Sequence, residues 1–234
     1  MKKFLKFLLI KLPLAFLVLS LALVLLFKYI PVLITPYMVI DAIENRGTED
    51  YHLRHRWVWL EKISPQLRMA VIAAEDQRFF DHDGFDVTEV KKMLKDHREK
   101  GKRIRGCSTI SQQTAKNVFT FCTNTALRKG MEAYWTFLIE KIWGKERILE
   151  VYLNVAEMGL GTFGAESTAR TYFRKPAAEL SRAEASLIAA CLPNPVLYRV
   201  DKPSDYVLKR RGAISSSIGK LAFPEFVIRK DLKK

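Results

Sequence analysis

The most constraining feature of this sequence is its beginning. Lys2, Lys3, Lys6 and Lys11 precede an uncharged apolar run from Leu12 to Phe27; Lys28 interrupts it, and Tyr29 to Ile34 is apolar again. As a helix, Leu12 to Ile34 spans about 34 Å, enough for a bilayer core. Lys28 lies close enough to one end to reach the headgroups with its ammonium, and Pro13 falls in the first turn, where a missing N–H is harmless. Ser20-Leu21-Ala22 has the small residues of a leader-cleavage site, but it sits inside the run rather than after it. A retained anchor is therefore expected over a cleaved signal peptide. The lysines place the N-terminus in the cytoplasm and the rest of the chain outside it.

Charge narrows the partners. The chain carries 39 basic and 25 acidic side chains, a net charge of +14. Such a balance fits a polyanion: nucleic acid, anionic lipid or a phosphate-bearing substrate. Placement beyond the cytoplasmic membrane, and the lack of a nucleic-acid motif, exclude nucleic acid as the expected partner. Cysteine adds little. Cys107, Cys122 and Cys191 are odd in number and lack metal-ligand spacing, so a single bridge stays open and no metal site is predicted.

Beyond the anchor (12–34, after a tail at 1–11), residues 35–56 read as a juxtamembrane linker, 57–200 as the main domain and 201–234 as its C-terminal extension. The segment Tyr51 to Lys62 is left open between a strand and an interfacial stretch. From Ser64 onward the signals are helical. Ser64-Pro65 is a cap followed by proline at the first helical position. Helices are predicted from Val87 to Glu99, Ser108 to Phe119 with Ser108 as cap, Leu127 to Trp143, Lys145 to Asn154, Ala165 to Phe173 and Ser181 to Leu192. Ser181-x-x-Glu184 is a capping box. Met158 to Gly164 reads as a glycine-rich turn. Strands do not alternate with helices, so a parallel sheet is not expected and the domain reads as mostly α.

Three places are able to carry chemistry. Glu75 shares a predicted helix face with Val71 and Ile72, and a carboxylate on an apolar face is desolvated, as a general base near neutral pH requires. The competing interpretation is an ion pair with Arg68 or Arg78. In Gly106 to Asn117, small hydroxyl residues open a helix whose free N–H groups, flanked by Arg103, Arg105 and Lys116, suit a phosphate. Gln112, Gln113 and Asn117 add donors for sugar hydroxyls, against the plainer view of a capped helix with a polar face. Arg128 and Glu132 are four apart on one face, which taken alone describes a surface ion pair.

These segments together resemble the peptidoglycan glycosyltransferases. Glu75-Asp76-Gln77-Arg78-Phe79-Phe80-Asp81-His82-Asp83-Gly84 resembles that family's first motif and Gly106 to Asn117 its second. Arg128-Lys129-Gly130-Met131-Glu132 resembles the third, and Lys145-Glu146-Arg147-Ile148-Leu149-Glu150-Val151-Tyr152-Leu153-Asn154 the fourth. The similarity runs from about Trp57 to Val200. With little chain left for a transpeptidase, it is nearest to the monofunctional transglycosylases of Gram-negative bacteria rather than to bifunctional penicillin-binding proteins.

The resemblance implies a lysozyme-like, two-lobed helical domain after one transmembrane helix, with the apolar lobe dipping into the bilayer. It also implies lipid II and a lipid-linked glycan chain as substrates, with cell-wall or division proteins as candidate partners. Glu75 falls at the general-base position, taking the proton of the acceptor's 4-hydroxyl while the donor's anomeric carbon inverts and expels pyrophosphate. Glu132 falls at the second catalytic position, on the leaving side, and well-separated carboxyls are expected. Substrate contacts are implied for Asp76, Phe79, His82, Ser108, Thr109, Gln112, Gln113, Lys116, Asn117 and Arg128. No cofactor is required, with Mg2+ or Mn2+ as the candidate divalent cation. Two departures stand out: Cys107 replaces the usual glycine or alanine, and Thr123-Asn124-Thr125 lacks a common arginine, for which Arg103 or Arg105 is the candidate substitute. The alternatives are a lytic, lysozyme-like enzyme and an inactive anchored adaptor.

Overall fold

A computed structural model of the chain describes residues 7–48, 51–101, 106–121 and 125–229. The apolar run folds as helix α1 (Leu12–Tyr29), led in by a π-helical turn at Phe7–Lys11, with Pro13 in its first turn. The stretch Leu9–Tyr29 is long and apolar enough to cross a membrane, consistent with an anchor. Its far end is tied to the domain rather than hanging free. The last carbonyls of a helix lack intrahelical donors, and Arg147 supplies that of Phe27 here. Trp143 Nε1 donates to Val24 O at 2.7 Å, and Arg147 donates to Phe27 O through Nε (3.1 Å) and Nη2 (2.7 Å) and to Ile30 O.

The stretch predicted as a linker contains a helix, α2 (Pro36–Glu44), entered through a Thr35 cap that accepts from Met38 N at 3.1 Å. Its cause is local: a threonine cap, proline in the first turn and apolar residues behind it. Val32 and Met38 bury themselves in the core, which pins the segment to the domain.

Three short strands follow no periodic pattern. β1 (Arg54–His55), β2 (Glu157–Gly159) and β3 (Thr162–Phe163) form a sheet in the order β1-β3-β2. β1 pairs parallel with β3, and β2 pairs antiparallel with it. The glycine-rich turn is thus a tight hairpin, and the absence of parallel pairing expected from the sequence is corrected. Ladders of two or three residues are too short for alternation to register.

The remaining helices are α3 (Pro65–Glu75), α4 (Val87–Lys100), α5 (Ile110–Phe119), α6 (Thr125–Ile142), α7 (Lys145–Val155), α8 (Ala165–Phe173), α9 (Arg182–Cys191), α10 (Asp205–Ile218) and α11 (Glu225–Ile228). They form two packs. α3 packs on α9, α10 and α11, while α5 packs on α6, α7 and α2, and α1 lies along α6. Arg68, fully buried on α3, donates to Leu60 O, Phe226 O and Arg229 O and so fastens the C-terminal segment. Cys107 and Cys191 form no disulfide; Cys122 lies outside the described residues.

α7 sits where the packs meet, and it is buried from Arg147 to Val155. Its buried polar side chains are all engaged. Arg147 pairs with Glu150 and lies over Trp57, 5.1 Å from the ring centroid. Glu150 accepts from Leu60 N at 2.7 Å, and Asn154 brackets Val58 by accepting from its N and donating to its O, both at 2.9 Å. Replacing Arg147 with methionine strands Glu150 and two helix-end carbonyls in the interior, so Arg147→Met is expected to cost about 3 kcal/mol or more. Thermal unfolding in detergent checks this; an unchanged midpoint contradicts it.

Candidate active site

Glu75 is the last residue of α3, where the helix delivers its carboxylate to the junction of the two packs. Gln113 Nε2 donates to Glu75 Oε2 at 2.9 Å, and Tyr152 O–H in turn donates to Gln113 Oε1 at 3.0 Å. The neutral amide is thereby fixed in orientation by a fully buried tyrosine. The nearest cation is Arg210, with Nη2 3.8 Å from Glu75 Oε1. Burial pushes the Glu75 pKa up, opposed by the Gln113 hydrogen bond and the Arg210 charge and reinforced by the charge of Asp76. The competing ion pairs are absent: Arg68 serves the C-terminal carbonyls, and Arg78 reaches Asp86 at 3.4 Å.

Asp76 and His82 form a clasp. His82 Nδ1 accepts from Gly84 N at 3.1 Å, which leaves Nε2–H to donate to Asp76 Oδ1 at 3.0 Å, a tautomer inferred from the network. Asp76 Oδ2 accepts from Ile110 N at 3.1 Å, so a carboxylate occupies the positive end of α5. Gly84, at φ +88°, closes the turn; a Cβ there meets Thr136 Cγ2 at 2.6 Å. The cap of α5 is Thr109 rather than Ser108: its Oγ1 accepts from Gln112 N at 3.1 Å while Gln112 Oε1 accepts from Thr109 N at 3.0 Å. The register is set by glutamine three residues after threonine, the capping-box spacing.

The third motif is on α6. Glu132, 1 % exposed, is held by Arg128 at Oε1 and by Lys129 Nζ at Oε2, 2.6 Å away. Two cations on one buried carboxylate distinguish it from an ordinary surface pair. Lys129 also approaches Ser108 Oγ at 3.4 Å, bringing the loop before α5 to this group. Lys116 faces the same side from α5. Burial lowers its pKa, as do the charges of Arg128 and Lys129, with Glu132 opposing. α5 is thus a shared wall, with Gln113 towards Glu75 and Lys116 towards Glu132. The two glutamates have no hydrogen-bond partner in common among the described residues.

The other expected contacts have different surroundings. Phe79 is fully buried beneath Lys145, whose Nζ is 4.5 Å from its ring centroid. Asn117 is buried on α5, and Arg103 and Arg105 lie outside the described residues. Sequence reasoning missed Arg210, because Lys209-Arg210-Arg211 carries no sign of which cation turns inward. It also missed Tyr152 as the brace of Gln113, and a carboxyl group at Glu157. Glu157 accepts from Tyr37 O–H at 3.2 Å and from Gly161 N at 3.3 Å, and burial together with the charge of Asp41 raises its pKa to about 7.

Asp76, His82 and Asp86 bring potential metal-ligand atoms within 4.8 Å of one another. They do not fit a cation. Both His82 nitrogens and both Asp76 oxygens are already engaged, and Asp86 caps α4 through Glu89 N while facing Arg78.

The chain is thus a mostly helical domain led by one apolar helix, with a desolvated and a doubly paired glutamate near one face of α5. The family model described as Transglycosylase matches residues 42–218, and the chain belongs to that family, whose domain is of the lysozyme-like helical class. Relatives bearing the name biosynthetic peptidoglycan transglycosylase include one from Bacteroides thetaiotaomicron, 52 % identical over 82 % of this chain and 77 % of its own length. Another, from Bdellovibrio bacteriovorus, is 48 % identical over 89 % and 84 %. One from Aeromonas hydrophila is 55 % identical over 72 % of each chain.

Glu157 gives a signed stability prediction. Its pKa is raised from 4.5 to about 7, so folding disfavours the charged form. That cost is absent below the ordinary value, grows as pH rises through this window and is complete above about 7. Glu157→Gln is expected to raise the thermal midpoint at pH 8, with a gain that shrinks towards pH 5. A gain independent of pH contradicts the assignment.

Proposed function

We propose that this transglycosylase polymerises peptidoglycan glycan strands from lipid II at the outer face of the inner membrane, with its N-terminus cytoplasmic and its domain periplasmic. The single observation that carries the reading is the contrast between the settings of the two glutamates beside the Gln113–Lys116 face of α5. Glu75 is desolvated and held by an amide, and Glu132 is buried under two cations beside Lys116. The first setting suits a proton acceptor and the second suits a polyanion.

In this reading Glu75 takes the proton from the 4-hydroxyl of the acceptor sugar. The freed oxygen attacks the donor's anomeric carbon from one face, and pyrophosphate departs from the other, giving inversion. Glu132 fixes Arg128 and Lys129 where they, with Lys116, neutralise the leaving pyrophosphate. Gln113, braced by Tyr152, aligns Glu75 without cancelling its charge. Asp76, His82 and Thr109 keep the N-terminus of α5 in register with α3, so their support of substrate is indirect. The anchor keeps the site at the surface where a polyprenyl-linked substrate lies, and the names of the relatives accord with this chemistry.

Purified full-length protein with lipid II tests the reading. Wild type is expected to build glycan without pre-existing polymer, which a lytic enzyme does not do. Glu75→Gln is expected to lose about 10²- to 10⁴-fold in rate, the range for a general base. Glu132→Gln is expected to lose less, because the cations stay but lose their tether. Full activity in Glu75→Gln sinks the mechanism.

A further inference from the structure

Helix α2 stands directly against the phosphate side of the site. Tyr37 O–H donates to Glu157 Oε2 at 3.2 Å, and the Tyr37 ring centroid is 4.9 Å from Lys116 Nζ. The same ring meets Phe163 edge-on at 6.0 Å. Its helix is fastened at both ends. Thr35 caps the start, and Asp41 accepts from Tyr51 O–H at 2.8 Å and from Asn45 Nδ2 at 2.9 Å. The tyrosine is therefore a fixed surface.

Lys116 needs one. Among the described residues its ammonium makes no hydrogen bond and no ion pair with a carboxylate; Arg128 and Lys129 repel it, while Glu132 and Glu157 attract it from beyond ion-pair distance. The face of an aromatic ring attracts a cation, more strongly as both are desolvated. The Tyr37 ring is thus the close attractive contact of this half-buried ammonium among the described residues, with the two carboxylates acting from further off.

We propose that Tyr37 is a positioning residue for Lys116, so that the helix following the membrane anchor forms one wall of the pyrophosphate site. The inference rests on the reading of Lys116 as a pyrophosphate ligand. It makes the anchor segment part of the active site, through one ring.

Full-length Tyr37→Leu, Tyr37→Phe and Lys116→Met proteins in detergent, assayed with lipid II, test it. Tyr37→Leu is expected to lower kcat/KM about tenfold, while Tyr37→Phe, which keeps the ring, stays within about threefold of wild type. A second readout does not depend on activity. Acetic anhydride labelling of Lys116, followed by peptide mass spectrometry, is expected to quicken about threefold in Tyr37→Leu and not in Tyr37→Phe. Labelling of exposed Lys209 serves as the folding reference and stays constant. Wild-type activity in Lys116→Met overturns the pyrophosphate reading. A damaged Lys116→Met with wild-type activity or unchanged Lys116 labelling in Tyr37→Leu overturns the role of Tyr37. Equal losses in Tyr37→Leu and Tyr37→Phe also overturn it, since they assign the effect to the hydroxyl.

Discussion

The structure depends on Arg147. A guanidinium buried between the end of the apolar helix and the centre of the domain is tolerable only when its donors and its charge are satisfied. Here Phe27 O, Ile30 O and Glu150 do this, with two tryptophan rings beside it. The arrangement fixes three things together: the angle at which the anchor meets the domain, the position of the Leu60 loop through Glu150, and the rotation of α7. Because α7 cannot turn, Tyr152 five residues on is held against Gln113, and Gln113 against Glu75. The membrane anchor and the proposed base are therefore linked through one buried helix.

The two glutamates show how environment divides labour between identical side chains. Glu75 is stripped of water and given one neutral donor and one distant arginine, so its charged form is disfavoured and its affinity for protons rises. Glu132 is more deeply buried and carries two close cations, which is an arrangement for holding those cations in place. α5 serves both because Gln113 and Lys116 are three residues apart and project to neighbouring groups. The capping by Thr109 and the Asp76 clasp set the register that makes this work.

Much of this was legible in the sequence. The starts of the capped helices, such as those at Ser64-Pro65 and at Ser181, were placed to the residue, because capping is a local rule, whereas the first of them ends at Glu75 and not near Asp81 where the polar stretch suggested. Ser108 and Thr109 are adjacent hydroxyls, and only the glutamine three residues after Thr109 separates them. The helix at Pro36 was passed over as linker, since nine residues are too few for a convincing period. Arg210 and Tyr37 were illegible for a different reason. Each acts across more than seventy residues of chain, and nothing in their local sequence states which surface they will meet. The family resemblance raised Glu75 and Glu132 above their local patterns; it did not reveal the brace of Gln113 by Tyr152.

The central claim is that Glu75 is a desolvated base. The pH dependence of kcat/KM for lipid II polymerisation tests it most directly, because that profile reports the free enzyme's essential base. The account predicts an acid limb centred above the ordinary glutamate value of about 4.3. It also predicts that Arg210→Met moves that limb further upward, as a nearby cation that holds the value down is removed. An acid limb at the ordinary value, unmoved by Arg210→Met, would contradict it.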